Sequence, residues 1–130
     1  MKREETRIGP SQAQAQLDAL QCRRLLAGMS VGRVVYTVGA LPAVLPVRYR
    51  LDGDGSVLLR VDAPSTLVRA VSDALVAFEA GALDETDGSG WTVTVLGHAR
   101  VTRDQNQASI RIMPELVTGV LLPPGPAAYG

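Results

Sequence analysis

The sequence predicts a mainly β domain: five or six antiparallel strands closed into a small barrel, with two short helices. Three observations carry this. Runs of β-branched residues alternate with period two, most clearly in GWTVTVLGHARVT over residues 90–102. Asp52-Gly53-Asp54-Gly55 separates two such runs with a strong tight-turn signal. Glycine and proline cut the remaining chain into short pieces. A barrel is preferred because closure removes exposed strand edges, and a β-sandwich is the structural alternative. A chain of 130 residues can bury one core but not two. We therefore read residues 1–130 as a single domain, with 1–10 and 123–130 as flexible tails.

Taken in order, residues 11–28 read as a helix that Ser11 can cap, with Leu17, Leu20 and Leu25 on one broad face and Leu26 breaking the pattern. Gly28 and Gly32 bracket a turn, after which RVVYTV, AVLPVRYRL and SVLLRV are three strands, the last two forming a hairpin. Pro42 and Pro46 require the middle strand to be an edge, bulged or ligand-facing strand, because proline cannot donate to a ladder. APSTLVRAVSDA follows as one small helix, with Pro64 suited to its first turn. LVAFEAGAL is the next strand, and Asp84 to Gly90 forms an acidic, glycine-rich loop. In the strand that follows, Trp91, Val93, Val95, Gly97, Ala99 and Val101 share one face, while Thr92, Thr94, Leu96, His98, Arg100 and Thr102 share the other. RDQNQAS reads as a polar connection to IRIMPELVTGVLL, whose last half is the final strand.

Composition removes several function classes. Thirteen basic and thirteen acidic side chains cancel, and no run of Lys and Arg stands out, so neither DNA nor RNA is an expected partner. No apolar run approaches the roughly 20 residues that span a bilayer, and the charged start MKREETRIGP is unlike a secretory signal, so the expected location is cytoplasmic. Cys22 is the only cysteine and His98 the only histidine, which excludes an internal disulfide and leaves no thiolate-rich or His-based metal site. No Ser-His-Asp relay suggests itself either. Chemistry in such a chain would come from a cofactor.

The order of segments LLAGMSVGRVVYT, LPAVLPVRYRLDGDGSVLLRV, a short helix, LVAFEAGALDETDGSGWTVTVLGHARV and IMPELVTGVLL resembles the pyridoxamine 5'-phosphate oxidase-like family of FMN-binding split barrels. The resemblance runs from about Leu25 to Leu122 and is strongest to the small actinobacterial-type members. It implies an antiparallel six-stranded split β-barrel, a homodimer with FMN at the subunit interface, and a flavin-dependent oxidoreductase acting on a small molecule. Relatives that use the deazaflavin F420 make that cofactor the alternative. A non-catalytic cofactor-binding or sensing dimer is the rival function.

Under that resemblance, the FMN phosphate is expected on the segment from Arg60 and Val61 to Ser65 and Thr66, where a strand ends and a helix begins. The family turn commonly carries Lys or Arg beside Ser or Gly, and here no Lys is present. Ser65 and Thr66 are equally ordinary capping residues. The ring is expected along Pro46, Val47, Arg48 and Tyr49, because Pro46 frees part of the backbone from pairing. Arg48 and Arg50 could instead be charged protection for an edge strand. Trp91 is a candidate wall for the ring or a core anchor. His98, on the opposite face, is the weaker candidate, and Glu79 faces either inward or solvent. No residue is nominated as catalytic.

Overall fold

A computed structural model describes residues 15–125. The elements are β1 (Ala15–Gln16), α1 (Ala19–Ala27), β2 (Val31–Val38), β3 (Leu41–Leu51), β4 (Val57–Asp62), α2 (Thr66–Val71), β5 (Leu75–Leu83), β6 (Gly90–Asp104) and β7 (Gln107–Leu122). All seven strands form one antiparallel sheet in the order β1-β7-β4-β3-β2-β5-β6, and a further β7–β6 pairing closes it. The two-residue β1 is an addition on the outside of β7, so the wall of the barrel has six strands, as expected.

The barrel is split because β3 and β4 part early. They pair only at Tyr49↔Leu59, Arg50↔Leu58 and Leu51↔Val57, while β3 follows β2 through all of Leu41 to Arg48. The hairpin that joins them is the expected one: the Asp52 amide donates to the Ser56 carbonyl at 2.9 Å, and Gly55 adopts φ 90°.

Period-two alternation builds the core. Val34, Val47, Tyr49, Leu59, Val76, Phe78, Val93, Val95, Ala99, Ile110 and Ile112 point inward and are buried. Tyr49 meets Phe78 edge-on, with ring centroids 4.6 Å apart. Gly32 lies over that ring: a Cβ there would come within 2.4 Å of it, so only glycine lets β2 pass. The face assignment for residues 91–102 holds, with 93, 95, 97 and 99 buried and His98, Arg100 and Thr102 exposed.

Three local expectations are corrected. Residues 15–18 are not helical: Ala15 and Gln16 pair with β7, and Asp18 caps α1 by accepting from the Gln21 amide at 2.8 Å while the Gln21 side-chain oxygen accepts from the Asp18 amide at 2.9 Å. Ser11 lies outside the described residues. The buried face of α1 is Cys22 and Leu26, whereas Leu20 is exposed, because the helix docks on Gly119 of β7. RDQNQAS is no connection either. β6 runs through Asp104 and β7 begins at Gln107, with Gln105 in the left-handed region at φ 56° to make a two-residue turn. Polar residues conceal these strand ends because their side chains are exposed. Pro114 survives inside β7 because the register shifts between Leu96 and Gly97, leaving Glu115 as the extra residue of a bulge.

Candidate functional site

Where β3 leaves β4, its free edge explains the two prolines. Tyr49 donates its amide to the Ser30 carbonyl at 2.9 Å, on the side of β2. Alternation sends the amides of even-numbered neighbours to the opposite, open edge. Pro42 and Pro46 stand at two of those positions, where no ladder asks for a donor, and Val44 and Arg48 present N–H groups there. The edge expected from the prolines is therefore present along residues 41–48.

Beside this edge the outer faces of β3, β4, β7 and β6 form a groove of about 720 Å³. Register arranges its side chains in rows across the sheet. Arg48 enters from the free part of β3, next to Arg60 of β4, which pairs with Ser109, which pairs with Thr102. In the next row stand Arg50, Leu58, Arg111 and Arg100. Five arginines thus line one groove, with Leu58 and Met113 supplying apolar floor.

Among the described residues, one of the five is paired with carboxylates. Arg111 lies 2.9 Å from Asp52 and 3.7 Å from Asp54, on the β3–β4 turn. The Arg111 hydrogen bond holds the Asp52 carboxyl below its ordinary pKa, with help from the Gly53 amide, and the Ser56 amide does the same for Asp54. Among the described residues, Arg48, Arg50, Arg60 and Arg100 have no carboxylate within ion-pairing distance. The groove is strongly cationic, on a chain with no net charge.

The candidate residues read from the sequence divide among several places. Arg48, Tyr49 and Arg60 line the groove together. Pro46 is on the free edge, and Val47 and the half-buried Val61 turn their side chains away from it. Tyr49 contributes no phenol: its hydroxyl is buried and donates to the Leu26 carbonyl, and desolvation pushes its pKa up to about 12. Ser65 accepts from the Val68 amide at 3.2 Å as the cap of α2, the role its sequence position equally allowed, and Thr66 is exposed. Trp91 lies nine residues up β6 from Arg100, roughly 30 Å away along an extended strand. There it lines a separate apolar groove of about 470 Å³ with Leu121, Leu122 and Pro123.

His98 sits one row beyond Arg100 and pairs through Nδ1 with Glu115, which also accepts from the His98 amide at 3.1 Å. Glu79 faces solvent and pairs with Arg33 across β2 and β5. Sequence reasoning missed Arg50, Arg100, Arg111, Ser109 and Thr102 as site residues. Their outward parity was visible; their convergence depends on registers between strands up to about sixty residues apart.

A closed six-stranded barrel, split beside one free strand edge with a cationic groove on its outer wall, defines a split-barrel protein. Residues 18–120 match the pyridoxamine 5'-phosphate oxidase family, and the chain belongs to it. An uncharacterised protein of Mycobacterium tuberculosis is 36% identical over 88% of this chain and 90% of its own length. The FAD binding protein of Mycobacterium smegmatis is 32% identical, covering 84% of this chain and 98% of its own, with a TM-score of 0.74. An FAD-binding protein from Mesorhizobium loti shares the fold at 17% identity and a TM-score of 0.74, over 85% of this chain and 97% of its own. Among the described residues no helix is long and apolar enough to cross a membrane.

Proposed function

We propose that the chain is a flavin-binding split barrel that works as a homodimeric oxidoreductase on a small molecule, with FMN, or the FMN portion of FAD, as its cofactor. The observation that carries this is the groove beside the free edge of β3, which Arg48 and Arg60 line together. Like charges gathered on one surface are destabilising, and an anion between them offsets the repulsion. Here the Ser109 and Thr102 hydroxyls complete the row. Such a row suits a phosphate, which takes charge-assisted hydrogen bonds from both guanidinium groups. Next to it, the N–H groups of Val44 and Arg48 offer partners for the polar rim of an isoalloxazine. The 32% identity to a protein that binds FAD supports the same reading.

The β2–β3 hairpin supports the homodimer. Leu41, Val44 and Leu45 are 72%, 59% and 37% exposed, an apolar surface that a second copy would cover while shielding the ring from water. A bound flavin would supply hydride transfer at N5, and the chain's own part is to hold the phosphate, orient the ring through the β3 edge and exclude water.

The visible spectrum of the purified protein tests this, followed by titration of FMN, FAD and riboflavin fluorescence and by light scattering for the dimer. Tight quenching of FMN or FAD with weaker quenching of riboflavin is expected. A colourless protein that quenches neither nucleotide at micromolar concentration would overturn the reading. A bound flavin that neither NADH nor NADPH bleaches would remove the oxidoreductase with those donors and keep the binding.

A further inference from the structure

The groove holds more positive charge than one phosphate ester needs, and the surplus is organised. Arg100 stands directly opposite Arg111 across β6 and β7, a second like-charged cross-strand pair. Asp52 and Asp54 pair with Arg111, so among the described residues Arg100 is the member of this pair without a carboxylate partner. Arg50 enters the same row from β3. Strand spacing and rise place the roots of the two pairs, Arg48–Arg60 and Arg100–Arg111, on the order of 12 Å apart. That is far more than the separation of the two phosphorus atoms in a diphosphate. Between them the floor is Leu58, with Met113 one row on, so the intervening surface is apolar.

We propose that the Arg100–Arg111 pair, with Arg50, is a second anion seat that binds the acidic group, carboxylate or phosphate, of the molecule on which the protein acts. The assignment of that molecule as substrate rests on the flavin reading; the seat itself does not. An acid with a short apolar body fits: the acid between Arg100 and Arg111, the body over Leu58, with Arg50 at the far end of the row. Arg111, held by Asp52, supplies a charge that is already positioned, while Arg100 is free to close on the ligand.

Inorganic phosphate is the probe, measured by equilibrium dialysis at constant ionic strength. The flavin-free protein should take up two phosphates per chain, and the FMN-loaded protein one. Arg100→Gln should weaken the site that remains in the FMN-loaded protein by about tenfold, the loss of a charge-assisted contact, while shifting FMN affinity less than about twofold. Arg48→Gln should do the reverse, and Arg100→Lys should retain part of the phosphate binding. Without phosphate and at low salt, Arg100→Gln should melt no lower than wild type, because Arg100 has no carboxylate partner among the described residues; a lowered melting temperature would mark Arg100 as structural and overturn the seat. So would an FMN-loaded protein that takes up no phosphate, or equal loss of FMN in both glutamine variants, which would mean one extended site. If FMN fails to bind while Arg100→Gln still removes one of two phosphates, the flavin reading falls and the second seat stands.

Discussion

The two faces of β3, β4, β6 and β7 are made from alternate residues of the same segments, yet they obey different rules. Inward, Val47, Tyr49, Leu59, Ala99, Ile110 and Ile112 are apolar and buried. Outward, Arg48, Arg50, Arg60, Arg100 and Arg111 repeat one charge in positions where a sheet built for stability alone would alternate signs. The inner face is what the fold needs, and the outer face is costly to the fold. That cost is the reason to read it as a site, and it predicts that substitutions will separate the two faces cleanly.

The largest effect belongs to the inner face. Phe78 is fully buried, lies under Gly32 and packs on Tyr49, so Phe78→Ala should cost about 3–5 kcal/mol through lost burial and the cavity left behind. Chemical denaturation reads this directly. A loss below about 1 kcal/mol would show that the two faces are not energetically distinct.

On the outer face the effect should appear in binding and not in folding. Arg60→Ala should weaken FMN by about tenfold or more while leaving riboflavin, which lacks the phosphate, nearly unchanged. Its denaturation midpoint should match or exceed that of wild type, because Arg48 loses a like-charged neighbour. Equal losses for FMN and riboflavin would show that Arg60 does not read the phosphate.

Tyr49 joins the two faces and sharpens the comparison. Its backbone lies between Arg48 and Arg50, but its phenol is buried and tied to the Leu26 carbonyl where α1 ends. Tyr49→Phe should cost about 1 kcal/mol of stability through the lost hydrogen bond, the Leu26 carbonyl keeping only the Met29 amide at 3.2 Å, and should leave FMN affinity within about twofold. A large loss of FMN with stability intact would instead place the phenol in the site.

How much of this could be read from the sequence follows the same division. Alternation is a local property, so the burial of Val93, Val95, Gly97 and Ala99 and the edge character marked by Pro42 and Pro46 were legible residue by residue. The arginine groove was not. Arg60 and Arg100 lie forty residues apart, and only the β4–β7 and β6–β7 registers bring them to one surface. The α2 start drew attention because Ser65 and Thr66 suit either a cap or a phosphate, and the Ser65 hydroxyl caps its own helix. The first half of β7 is hidden for a different reason: Pro114 is compatible with a strand only where a bulge supplies a place in which its missing N–H does no harm.

That bulge gives the smallest predicted effect. Glu115, its extra residue, accepts from the His98 amide and pairs with the His98 ring, and this side-chain contact, followed by the amide, holds the Glu115 carboxyl below its ordinary pKa. A carboxyl whose folded pKa is depressed stabilises the protein at every pH above its unfolded value, and the contribution fades as pH falls through the folded value. Glu115→Gln should therefore melt slightly below wild type at neutral pH, and the two should converge in acid below the ordinary carboxylate range. A gap that persists in acid would assign the difference to the bulge geometry, with the amide bond to the side-chain oxygen holding β7 in register whatever its charge.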